Sequence, residues 1–116
     1  MKRAILLAGL TLAAQPAFAH AFLTHAVPAV GSAVPSPPAN LELFYTEAVV
    51  PHFSSVTVQS AAGDRIHTGP LRTAQGGREV IVPVPKLAPG KYTVIWHMTA
   101  EDTHKTQGSY SFSVGP

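Results

Sequence analysis

From Leu41 onward the chain alternates. In LELFYTE, Leu41, Leu43 and Tyr45 fall on one side, with Glu42 and Thr46 on the other. That is the two-residue period of a strand with one covered face. Phe44 interrupts it and predicts that the second face is partly covered as well. FSSVTVQS repeats the pattern with Val56 and Val58, and VIVPVP repeats it with Val80, Val82 and Val84. Pro83 offers no N–H to a ladder, which predicts an edge position for that strand. In LAPGKYTVIWHMTA, Pro89-Gly90 fits a type II turn. Beyond it Tyr92, Val94, Trp96 and Met98 alternate with Thr93, Ile95, His97 and Thr99. GSYSFSVGP closes the chain with Tyr110, Phe112 and Val114 inward and serines outward.

Turns separate these runs. Gly63-Asp64 leads into a further short strand, and TAQGGRE is a second polar turn. AVPAVGSAVPSPPAN, with four prolines, predicts an irregular crossing segment holding a short edge strand. No stretch after residue 19 keeps a helical period. About seven short strands with turn residues between them predict an all-β fold, a Greek-key β-barrel or sandwich. No repeat, linker or low-complexity tract divides it.

The first 19 residues follow another rule. Lys2 and Arg3 precede an apolar run of 11 residues, Ala4 to Ala14, and Gln15-Pro16 leads into Ala17-Phe18-Ala19. This is the layout of a secretory signal cleaved after Ala19. The run is too short to cross a hydrocarbon layer of about 30 Å as a helix. The expected organisation is therefore a signal peptide at 1–19 and one exported domain at 20–116.

Export changes the charge. The chain of 116 residues carries a net charge of +2, and loss of Lys2 and Arg3 leaves six basic and six acidic side chains. No basic patch with interleaved aromatics remains, so a nucleic-acid partner is not expected. With no cysteine there is neither a disulfide framework nor a thiolate site. All six histidines stand at or after position 20, which raises the question of metal.

His20 would be the first residue after cleavage. A terminal histidine has two nitrogen donors, its α-amine and its ring Nδ1, and both can close on one ion as a chelate once the amine loses its proton. Chance placement by the protease explains the same residue without function. Asp102 and His104, in AEDTHKTQG, are spaced i, i+2, and on an extended segment they would point the same way about 6–7 Å apart. Such a triplet is also an ordinary hairpin turn. Together the three residues form a set of three nitrogens and one oxygen, which suits Cu(II); Zn(II) could use the same donors. Met98 is the one methionine after residue 19, so a Cu(I) site built on thioethers is not expected.

HAFLTHAVPAVGSAV, LELFYTEAVVPHFSSVTV and LAPGKYTVIWHMTAEDTHKTQGSYSFSV, in that order, resemble the CopC family of periplasmic copper-binding proteins. The most specific block runs from Leu87 to Val114. The resemblance implies a cupredoxin-like, Ig-like Greek-key barrel and a role in copper sequestration, delivery or resistance without catalysis. It implies Cu(II) held by His20, Asp102 and His104, with Glu47 as an auxiliary residue beside the copper. It further implies a CopD-type inner-membrane copper transporter as partner; a monomer is expected. The methionine-rich loop of some members is missing from QSAAGDRIHTGPLRT, which favours a single Cu(II) site.

The other histidines have plainer readings. His25 is an outer-ligand candidate or a surface residue, His52 a loop residue, His67 a strand or turn residue, and His97 a surface residue opposite Trp96. Two alternatives stay open. An N-terminal histidine with a second histidine is also the brace of copper oxidases of the lytic polysaccharide monooxygenase kind, although those need an open position for oxygen. A metal-free Ig-like interaction module is the other.

Overall fold

The computed structural model describes residues 20–116; the export signal read in residues 1–19 lies outside them. Nine strands among the described residues form two sheets. The first has the order β1 (Leu23–Val27), β3 (Asn40–Tyr45), β7 (Glu79–Pro83), β6 (Arg72–Ala74), and every neighbouring pair is antiparallel. The second runs β2 (Ala33–Val34), β9 (Lys105–Val114), β8 (Gly90–Thr99), β4 (Ser55–Ser60), β5 (Arg65–Ile66). In that sheet β2 lies parallel to β9. The fold is the all-β sandwich that the alternation predicts. It has more strands than the seven expected because β2, β5 and β6 are only two or three residues long, too short to show a period.

The inward faces are those read from the pattern. Leu41, Leu43, Val58, Val80, Val82, Val94, Met98 and Phe112 are fully buried between the sheets. Burying a side chain of this size is worth about 1.5–3 kcal/mol, so these eight supply much of the drive to close the sandwich. Tyr45 meets Trp96 edge-on at 5.3 Å, tying β3 of one sheet to β8 of the other. Trp96 stands opposite Gly108 in the long β8–β9 pair. A Cβ on Gly108 would lie 2.5 Å from Cζ2 of Trp96, so only glycine leaves room for the indole there.

Three local expectations change. β7 is an interior strand between β3 and β6; Pro83 is tolerated because it is the last residue of β7, beyond the stretch Glu79–Ile81 that pairs with β6. Gly90 takes φ +150° and pairs with Val114 at the start of β8, whereas a type II turn would need about +80° there. Thr99, expected outward, is buried. Its hydroxyl donates to the Phe53 carbonyl at 2.7 Å and its N–H to Ser54 Oγ at 3.0 Å, so its polar groups are satisfied inside. His97 is exposed, as expected, between Ser55 and Gln107 on the neighbouring strands.

Candidate metal centre

One end of the sandwich gathers the residues of interest. The connection from β3 to β4 is sewn to the turn between β8 and β9. The Val50 N–H donates to the Thr99 carbonyl at 2.8 Å, the Glu101 N–H donates to Ala48 at 3.1 Å, and Val49 bridges Ala100. The turn closes on itself: the Thr103 N–H donates to Ala100 O and the Ala100 N–H to His104 O, both at 2.9 Å. Asp102 and His104 therefore sit on a tight, anchored turn rather than on the extended segment expected. Thr103 has φ +75°, a left-handed conformation that a β-branched residue adopts only when its surroundings impose it.

The turn brings the two side chains together by another route. The His104 N–H donates to Asp102 Oδ1 at 3.1 Å, and Nδ1 of His104 lies 3.2 Å from Asp102 Oδ2. The His104 amide lowers the Asp102 carboxyl from its ordinary value; burial opposes this, and the imidazoles of His104 and His20 add smaller lowering effects. The carboxylate is thus anionic and fixed against one ring nitrogen of His104. A carboxylate so placed restricts the orientation of the imidazole beside it.

His20 reaches the same place from the far end of the chain. Its ring meets His104 edge-on at 5.1 Å between centroids and Phe22 edge-on at 5.9 Å. Nδ1 of His20 is buried and has no hydrogen-bond partner among the described residues. A buried nitrogen without a partner is costly unless something else occupies its lone pair. Among the described residues no three His, Asp or Glu side chains already enclose a common point. The two imidazoles and the carboxylate are neighbours that would have to turn toward an ion.

The backbone of His20, Ala21 and Phe22 is held by two threonines that sequence reasoning did not single out. Thr46 donates its hydroxyl to the His20 carbonyl at 2.8 Å, accepts the Phe22 N–H at 3.0 Å on the same oxygen, and donates its own N–H to Phe22 O at 2.9 Å. Thr106, on β9, donates its hydroxyl to the Ala21 carbonyl at 2.6 Å. Nothing in the pattern marks either residue, because threonine is common in strands and its partner here is distant in sequence.

The remaining candidates separate. Glu47 follows Thr46 in the β3–β4 connection and is half-buried. His25 lies on the outer face of the first sheet, stacked on Phe44 at 4.1 Å with an interplanar angle of 6°, and its Nδ1 is 3.1 Å from Thr24 Oγ1. His52 and His67 are exposed in a short 3-10 turn and just after β5. Burial pushes the Tyr45 and Tyr110 phenols up, with Tyr110 adding to the effect on Tyr45. Both stay protonated and are not anionic ligands.

The CopC domain family matches residues 23–115, a span that starts just after His20 and includes the Asp102–His104 turn. Protein YobA of Escherichia coli K12 is 40% identical over 99 residues, covering 84% of this chain and 80% of that protein. Copper resistance protein C of Xanthomonas campestris pv. juglandis is 30% identical over 117 residues, 95% of this chain and 91% of its own. Among solved structures, CopC from Methylosinus trichosporium OB3b superposes with a TM-score of 0.79 at 28% identity, over 84% of this chain and 95% of that one.

Proposed function

The chain belongs to the CopC family, whose function is copper handling, and on that footing we propose that it is an exported protein that captures one Cu(II) ion as cargo. Cleavage after Ala19 frees the His20 amine, and amine and Nδ1 of His20 then form one chelate. His104 supplies a third nitrogen from its ring. Asp102 completes the set with a carboxylate oxygen once it turns from His104 Nδ1 toward the ion, and Glu47 flanks the site. Three nitrogens and one oxygen favour Cu(II) over softer ions. Met98, the one thioether after residue 19, is buried in the core, which argues against storage as Cu(I). The protein acts as a monomer in the periplasm and hands copper to a CopD-type membrane transporter, with no catalytic step.

The observation that supports this reading best is the edge-on meeting of the His20 and His104 rings, with Nδ1 of His20 buried and unpartnered. Titration of the processed protein with Cu(II) tests it. His104→Ala should weaken binding by about 100-fold or more, since loss of a ligand exceeds the 10–100-fold cost of losing its support. It should also remove one nitrogen from the electron paramagnetic resonance hyperfine pattern. An unchanged pattern would place the copper elsewhere.

A further inference from the structure

We infer that Thr46 and Thr106 are positioning residues for metal capture: from opposite sheets their hydroxyls fix the His20–Phe22 backbone and so place the His20 donors. The inference takes His20 to be a copper ligand, as proposed above.

His20 to Phe22 precede β1 and have no ladder of their own. A free terminal residue in that position would ordinarily fray. Here both of its peptide planes are gripped. The plane joining His20 to Ala21 is held at its carbonyl by the Thr46 hydroxyl. The plane joining Ala21 to Phe22 is held at both ends, its carbonyl by Thr106 and its N–H by Thr46. Between them the Ala21 side chain is buried. Thr46 follows β3 in the first sheet and Thr106 lies on β9 in the second, so the segment cannot lift off without parting from both.

Two fixed planes fix the Cα of His20. What remains free is the rotation about its Cα–C bond, which aims the nitrogen and the Cβ together, and the two torsions of the side chain. The seat of the ring between Phe22 and His104 limits all three. Amine and Nδ1 are thereby delivered to the side of the turn that carries Asp102 and His104. The backbone ordering that chelation by His20 needs is already present before the ion arrives, although the side chains still turn to meet it; such preorganisation raises affinity. One hydroxyl serves two peptide groups at Thr46 because it both donates and accepts. Valine keeps the shape of threonine but can do neither.

The test uses protein exported from cells expressing the full chain, with its first residue fixed by mass spectrometry. Thr106→Val and Thr46→Val should each weaken Cu(II) binding by about tenfold or more, as for other supports of a ligand. In the metal-free protein the Phe22 amide of Thr46→Val should exchange with solvent faster. Serine at either position should restore most of the affinity. Thr24→Val, which removes a hydroxyl donating to the Phe44 carbonyl at 3.1 Å, should leave copper affinity unchanged. A lowered melting temperature with wild-type affinity and spectrum in both valine variants would reduce the threonines to structural residues and overturn the inference. Equal losses in Thr24→Val would do the same. His20→Ala separates the two levels. Loss of binding there with none in the valine variants defeats the clamp alone, whereas wild-type binding by His20→Ala defeats the copper reading and the clamp with it.

Discussion

His20 and His25 begin the same stretch of chain and have opposite surroundings. His25 lies in β1, where antiparallel pairing sets its ring flat on Phe44 and its Nδ1 against Thr24. His20 lies before the ladder starts. Its ring stands edge-on to another imidazole and its Nδ1 is buried without a partner. Within a sheet, a side chain meets what the register puts across from it. Outside the sheet, it can be directed to residues far away in the sequence, provided the backbone is held by other means. The irregularity of β1 between Leu23 and His25 belongs to the same contrast: it leaves both Thr24 and His25 exposed and so keeps His25 off the core face.

The sharpest way to break the contrast is to remove each ring in turn. His20→Ala should lower Cu(II) affinity by about 100-fold or more, a ligand being worth more than its support. His25→Ala should change affinity by no more than about threefold, within the small range of surface substitutions. Competition against a chelator of known affinity reads both. Comparable losses in the two variants would make His25 a ligand and remove the distinction between strand and pre-strand histidine.

A smaller effect is expected from Asp102→Asn. The amide oxygen can still accept the His104 N–H, while the anionic partner of His104 Nδ1 is lost. Affinity should fall by about tenfold, because the neutral amide oxygen is a weaker donor to the ion than the carboxylate and a weaker support for His104, with the fold and melting temperature almost unchanged, because Asp102 is well exposed. Wild-type affinity in Asp102→Asn would show that the carboxylate neither bonds the ion nor supports His104.

The same contrast marks what could be read from residues alone. Alternation located the inward faces of β3, β8 and β9, because period two and burial report one physical fact. It could not show β2, β5 or β6, each shorter than one repeat of a recognisable pattern. Pro83 pointed to an edge because its missing N–H matters only where a neighbour stands, and β6 stops short of it. His20, Asp102 and His104 stood out as candidate donors by residue type and spacing. Their meeting did not: Asp102 and His104 converge through a turn with Thr103 at positive φ, and that turn is held by the β3–β4 connection. Thr46 and Thr106 left no trace, since a hydroxyl acquires its partner only when the two sheets close.

The most direct measurement is a Cu(II) titration of the protein beginning at His20 beside the same protein with one glycine placed before His20. The ring, Asp102 and His104 are identical in the two; only the amine becomes an amide. The extended form should bind at least about 100-fold more weakly, in line with loss of a ligand. Equal affinities would mean that the terminal nitrogen takes no part, contradicting a site built around a histidine created by processing.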